Sequence, residues 1–504
     1  MDGLPVIIQG GMGAGVSSWR LARAVSFTGQ LGVVSGTALD VLLARRLQDG
    51  DRGGHMRSAL EHFPSQEIAR LILDTYFIEG GKGADVPYKA VSMHSAKPCR
   101  ALIELTIAAN FAEVFLARQG HANAVGINYM EKLQLPHLPS IYGAMLAGVE
   151  YILMGAGIPL RIPGVLDAFV NHKAAEYPLY VAGAQDGDDF KIRFDPREYF
   201  EAELAPLQRP RFLPIIASNV LALTMTKKAN GRVDGFIVEG PTAGGHNAPP
   251  RGKMQFDADG EVIYGERDVV DLAKLRGLGL PFWLAGGYGS PEKVAEALEA
   301  GAAGVQVGTA FALTDESDLN AHSKQMLIKQ VRQGTARVRT DTLASPTGFP
   351  FKVAQLNDSQ SNDAVYAQRR RVCDLGFLRE GYRTVDGKLD FRCPAEPEAV
   401  YLAKGGDADS ARGRKCLCNA LMANIGMPQV RGNGYREPTL VTMGDDLVGL
   451  DRFLSDEREG YSALEVVHQL LSQVKDRQSP LPVVAMDMCS TCEEDRCFST
   501  VVQA

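Results

Sequence analysis

One histidine and three sets of glycines carry the chemistry that can be read from this chain. His246 stands in TAGGHN, directly after the apolar run GFIVE. Glycines there would expose the imidazole at the end of a β-strand, where a neutral ring can hydrogen-bond a substrate or move a proton. Further on, Gly286-Gly287 ends a second apolar run, and Ser290-Pro291 then opens a helix that Gly301 closes. Gly308-Thr309 ends the next run. Two glycine turns in consecutive strand–helix units, with free backbone N–H groups at each, suit a phosphate dianion. Gly10, Gly11, Gly13 and Gly15 follow the first apolar run. No register among them gives glycines at i, i+2 and i+5, which excludes the dinucleotide fingerprint. What remains is a turn that lets backbone approach a flat ligand closely.

These turns need a scaffold, and the chain supplies a regular one. Short runs rich in Val and Ile recur at 5–9, 32–35, 124–128, 151–154, 213–217, 235–239, 282–285 and 304–307. They are continuous rather than alternating, as in parallel strands covered on both faces. Helical patterns fall between them at 17–27, 100–118, 140–149, 162–173, 220–229 and 291–300. The alternation predicts a TIM-type (β/α)8 barrel, with a doubly wound open sheet as its rival. In a barrel the turns after strands seven and eight are the usual phosphate site. The spacing fails between the second and third runs, which predicts a partly helical insertion over 37–122, helical around 66–76. It stops again near residue 341. The reading is therefore a barrel over 1–345 and an irregular, partly helical extension over 346–504, with a helix at 463–474, packed on the barrel.

Net charge is −7, from 53 Lys and Arg against 60 Asp and Glu, with no basic block. Nucleic acid is an unexpected partner. No apolar stretch approaches the roughly 18 residues of a membrane helix, and Asp2 stands where a signal peptide would carry Lys or Arg. These features predict a cytoplasmic protein with no membrane partner and leave a homo-oligomer open. Seven of the eight cysteines lie in the extension. Cys373, Cys393, Cys416 and Cys418, with Cys489, Cys492 and Cys497 in a C-x2-C-x4-C pattern, could ligate zinc or an iron–sulfur cluster. Neither group has the two close pairs of a zinc ribbon, so buried free thiols, a disordered tail or disulfides formed on isolation are the alternatives, and no metal ligand is assigned.

PVIIQGGMGAGVS, AVGIN, LMGAGIP, DGFIVEGPTAGGH, WLAGGYGSPEKVAEALEAGAAGVQVGTAF and ASPTGFPFKV, in that order over residues 4–353, resemble the nitronate monooxygenase (2-nitropropane dioxygenase) family. Its barrel is shared with FMN-dependent enoyl-acyl carrier protein reductases. The resemblance implies FMN. Gln9, Gly10, Gly11 and Met12 would lie along the isoalloxazine, with Asn128 hydrogen-bonded nearby. Gly244, Gly245, Gly286, Gly287, Gly308 and Thr309 would hold the ribityl phosphate, and His246 would be the catalytic imidazole. The family usually has a glutamate where Thr242 stands here, and compact members lack the insertion and the extension. The implied activity is oxidation of a small-molecule alkyl nitronate with O2. The same cradle would serve an NAD(P)H-driven reductase of enoyl thioesters or quinones. A barrel that binds a phosphorylated ligand without redox chemistry is the third reading.

Overall fold

Each of the eight apolar runs becomes a parallel strand: β1 (Ile7–Gln9), β2 (Gly32–Ser35), β3 (Val125–Met130), β4 (Tyr151–Gly155), β5 (Arg211–Ile216), β6 (Phe236–Glu239), β7 (Phe282–Ala285) and β8 (Gly304–Val307). The computed structural model describes residues 3–200, 204–455 and 458–474. The strands pair in the order β1-β8-β7-β6-β5-β4-β3-β2. The ring closes where Ile8 bridges Leu31, with Gln9 N–H donating to the Leu31 carbonyl at 2.9 Å and Leu31 N–H to the Ile7 carbonyl at 3.1 Å. This is the expected barrel, not the open sheet.

Side chains of alternate strand positions divide between two cores. Ile8, Val33, Leu153, Leu213, Ile237 and Trp283 fill the barrel interior. Ile7, Val34, Ile152, Phe236, Leu284 and Val305 face outward into the shell of helices. Both faces are buried, so the strands read as uninterrupted apolar runs. Helix packing is close: a Cβ on Gly32 would lie 1.8 Å from the Ala22 carbonyl oxygen of helix Trp19–Phe27. Only glycine fits at that crossing. The helix Pro291–Glu299 begins as its sequence predicts, with Ser290 accepting from Lys293 N–H and proline in its first turn.

The region between β2 and β3 is more helical than expected, with helices at Leu39–Gln48, His55–Glu61, Gln66–Tyr76 and Arg100–Ala117. A two-stranded antiparallel sheet, Ala175–Pro178 with Lys191–Phe194, lies between β4 and β5 and was not anticipated. The extension is stitched to the barrel by strand pairing. Gly245–His246 pairs with Phe351–Ala354, which pairs in turn with Val338–Asp341. That hairpin spans residue 345, where the sequence suggests the barrel ends. Val181–Ala182 likewise pairs with Glu380–Arg383. Helix Ala463–Leu471 closes over helices Trp19–Phe27 and Pro291–Glu299. No helix among the described residues is long and apolar enough to cross a membrane.

Candidate active site

The carboxyl ends of the strands surround a cavity of about 240 Å³. Gly10, Gly11 and Met12 after β1, Asn128 on β3, Gly244, Gly245 and His246 after β6, Gly286 and Gly287 after β7, and Gly308 and Thr309 after β8 all line it. Of the residues selected from sequence, only Gln9 stays outside. Its position follows from strand alternation: Ile8 points into the barrel, so Gln9 points away from it. The Gln9 amide donates to Ser17 Oγ at 2.9 Å and accepts from Val33 N–H at 3.0 Å. Ser17 Oγ in turn accepts from Met12 N–H and donates to the Gly10 carbonyl. Gln9 therefore shapes the first glycine turn from behind.

Three buried polar oxygens among the cavity-lining residues lack a hydrogen-bond partner: Asn128 Oδ1, Gln306 Oε1 and Thr442 Oγ1. Buried polar atoms are normally paired, and leaving one unpaired costs roughly 1–3 kcal/mol. Three at one cavity mark a place where a polar ligand completes the bonding. The glycine turns provide the close approach. Gly286 and Gly287 both have positive φ, +85° and +78°, and a Cβ on Gly11 would lie 2.6 Å from the Asn128 Cβ. Carboxamide oxygens, glycine turns with a hydroxyl, and apolar side chains around one cavity fit the groups an FMN presents.

The turns after β6 and β8 are braced by a segment that sequence reasoning missed. Thr442–Asp446 of the extension threads between them: Gly444 N–H donates to Thr309 Oγ1 at 2.9 Å and Asp445 N–H to the Thr242 carbonyl at 3.0 Å. The Asp446 carboxylate accepts from Gly289 N–H at 3.1 Å, beyond β7. A Cβ on Gly244 would meet Gly444 N at 2.8 Å. Lys352 anchors the segment through Asp445 at 2.6 and 2.8 Å. The extension also gives the cavity an apolar wall of Phe377, Leu378, Leu417 and Leu421.

His246 is held by the hairpin that joins barrel and extension. Its Nε2 is 2.6 Å from Ser345 Oγ, which is 2.8 Å from Thr347 Oγ1. The ring stands edge-on to Phe351, with centroids 4.7 Å apart. Burial pushes the imidazole down to about 4. The ring is therefore neutral at pH 7 but a weak base. Glu239, the last residue of β6, is pushed up by burial to about 7. No hydrogen bond reaches its carboxyl among the described residues, and it lines the cavity. A carboxylate ending an otherwise apolar strand at a barrel mouth was the signal that could have found it.

Of the described cysteines, Cys418 lines the cavity. Cys373, Cys393, Cys416 and Cys418 are free thiols, and Cys393, Cys416 and Cys418 pack together beside Ala395. Among the described residues no group of three or more His, Cys, Asp or Glu is arranged to hold a metal ion. Cys489, Cys492 and Cys497 lie outside the described residues.

Residues 209–342 match the family model for nitronate monooxygenase. The chain is similar to the nitronate monooxygenase of Pseudomonas aeruginosa, 33% identical over 199 residues, which are 40% of this chain and 53% of that protein. The match thus spans about half the length of that relative. In structure it is similar to FabK from Thermotoga maritima, at 16% identity and a TM-score of 0.45, over 93% of this chain and 92% of that one. It is also similar to the nitroalkane oxidase of Streptomyces ansochromogenes, at 16% identity and a TM-score of 0.43, over 93% and 95% of the two chains. The match to the nitronate monooxygenase model thus runs from just before β5 to beyond β8.

Proposed function

We propose that this chain is an FMN-dependent oxidoreductase that oxidises a small alkyl nitronate, with O2 as electron acceptor. The observation that carries the reading is the set of orphaned oxygens of Asn128, Gln306 and Thr442 lining one glycine-edged cavity. Bound FMN would supply the electron chemistry. Asn128 and Gln306 would accept from the polar edge of the flavin, and Gly286, Gly287, Gly308, Thr309 and Thr442 would take its phosphate. His246 is kept neutral, and its Nδ1, opposite the nitrogen that meets Ser345, is left to hydrogen-bond the nitro group. Glu239 is the proton carrier suited to neutral pH. The family match over 209–342 supports the same assignment.

A second reading is favoured by the apolar wall of Phe377, Leu378, Leu417 and Leu421. A small nitronate has little to bury there, whereas an extended acyl chain has much. On that reading NAD(P)H reduces the flavin, and an enoyl thioester or a quinone is reduced in turn. The deciding experiment is the visible spectrum of FMN-loaded protein under nitrogen. Bleaching by an alkyl nitronate and not by NADPH supports the first reading. Bleaching by NADPH, reversed by an enoyl thioester or a quinone, replaces it with the second. Protein that stays colourless after incubation with FMN overturns both and leaves a barrel for a phosphorylated ligand without redox chemistry.

A further inference from the structure

Four thiols gather in the extension beside the active-site cavity. Cys416 stands just before the helix Leu417–Asn424, and Cys418 lies in its first turn. Cys393 and Cys416 are buried against Ala395 with Cys418 packed on them. Cys373 is within electrostatic reach of the other three. Of the four, Cys418 alone lines the cavity, together with Leu417 and Leu421 of its own helix. Residues two apart within a helix point away from each other. Cys416 escapes that constraint, since its backbone is not helical (φ −77°, ψ 87°).

The surroundings of Cys416 favour a negative sulfur. The Asn419 carboxamide donates to its Sγ at 3.4 Å, and the Arg369 guanidinium is within electrostatic reach. The Arg369 side chain is 1% exposed. Its Nε serves Glu437, while Nη1 and Nη2 are buried with no hydrogen-bond partner among the described residues. A buried cation with unspent N–H groups favours an anion nearby. Glu437 opposes a second negative charge, but it is engaged by Arg369 and by Gln360 Nε2 at 3.1 Å. The Cys418 thiol is in hydrogen-bonding reach of the Cys416 sulfur. That contact, and after it Arg369, pulls the Cys416 thiol below its ordinary range against the effect of burial. The same contact, with burial, keeps Cys418 protonated. Burial pushes Cys373 up to about 12 and raises Cys393 as well, so neither competes as a thiolate. One sulfur that ionises therefore adjoins one that is open to the cavity.

We propose that Cys416 and Cys418 are a redox-active pair on the cavity wall, which hydrogen peroxide oxidises to an intrachain disulfide and a dithiol reductant reopens. The Cys418 proton passes to the Cys416 thiolate as the Cys418 sulfur attacks one peroxide oxygen. The O–O bond breaks, leaving a sulfenic acid on Cys418 and a hydroxide that takes the proton from Cys416 and departs as water. The Cys416 thiolate then attacks the Cys418 sulfur; the S–S bond forms, the S–O bond breaks, and hydroxide leaves to be protonated by solvent. The two sulfurs lose two electrons, and the peroxide gains them as it becomes two waters. The proposal does not rest on what the cavity binds.

The test is differential alkylation of reduced, full-length protein after timed exposure to hydrogen peroxide, read by mass spectrometry. Trypsin releases 416–431 after Lys415, a peptide that holds Cys416 and Cys418 and no other cysteine. It should lose two hydrogens and resist alkylation, recover both on treatment with dithiothreitol, and react at least about tenfold faster than the exposed Cys99. Cys416→Ser should slow oxidation of Cys418 at least about tenfold and stop it at a sulfenic acid that dimedone traps, whereas Cys418→Ser should leave Cys416 unoxidised. Arg369→Gln should slow closure by a similar factor, and the serine variants carry the test should it fail to fold. A peptide unchanged while Cys99 is oxidised overturns the proposal. So does a disulfide from Cys418 to Cys373 or Cys393, or a serine variant that oxidises at the wild-type rate. Zinc retained on isolation, with these thiols closed to alkylation until a chelator is added, also overturns it, because the sulfurs are then ligands.

Discussion

Replacing Thr442 by valine should move two properties in opposite directions. The Thr442 hydroxyl is buried without a hydrogen-bond partner among the described residues. Removing an unsatisfied hydroxyl while keeping the branched shape should stabilise flavin-free protein by about 1 kcal/mol. On the proposed reading the same hydroxyl would donate to a phosphate oxygen of bound FMN. A hydrogen bond to a charged group contributes about 1.5–3 kcal/mol, so its loss should raise the FMN dissociation constant roughly 10- to 150-fold. Thr442→Ser should keep most of the affinity. The assays are urea unfolding of flavin-stripped protein and quenching of FMN fluorescence on titration. Unchanged FMN affinity, or a valine variant that loses stability without flavin, would refute the reasoning, because either result means the hydroxyl serves the fold and not a ligand.

The remaining expectations concern charge, packing and the substrate wall. Glu239 lies at about 7 in the folded protein, above its ordinary range near 4.5, so folding takes up a proton between those values. Wild-type stability should fall as pH rises through that window, and Glu239→Gln should match wild type at pH 4 yet exceed it at pH 8; a pH-independent difference in urea midpoint would count against the buried carboxyl. His246 is depressed to about 4, so its contribution to stability is present above pH 6.5 and lost as pH falls toward 4. His246→Gln should cut turnover at least about 100-fold with flavin content intact, and any inflection in the wild-type pH–rate profile near 7 should vanish in Glu239→Gln and not in His246→Gln. The ion pair of Arg369 and Glu437 is almost fully buried, so Arg369→Met should cost about 3–5 kcal/mol by stranding the carboxylate, while Arg369→Met with Glu437→Leu should recover most of it. Leu421→Ala, in the apolar wall, should raise KM for an extended substrate and leave FMN affinity unchanged; loss of flavin instead would make Leu421 part of the cofactor cradle.

What could be read from sequence is what local spacing encodes. The eight strands were legible because burial on both faces leaves each an unbroken apolar run, and Pro291–Glu299 because Ser290 and Gly301 bracket it. The strands Ala175–Pro178 and Lys191–Phe194 were not, since only alternate residues are buried in such short stretches. In the site, glycine turns announced themselves by composition. Gln9 illustrates the limit of reading by motif, since its period within β1 sends the side chain behind the turn it was expected to line.

The contacts that set the chemistry span longer distances in the chain. His246 meets Ser345 across 99 residues, and Gly444 meets Thr309 across 135. No local pattern encodes such pairings. They decide how basic the imidazole is, how the phosphate turns are braced and what faces the apolar side of the slot. A barrel with the same motifs but a different extension would keep the flavin cradle of β1, β3, β7 and β8 and lose the Ser345, Thr442 and Leu421 contributions together. On the proposed reading, cofactor choice belongs to the glycine turns, which are written locally. Substrate choice belongs to residues 345–446, where the sequence alone carries the least positional information.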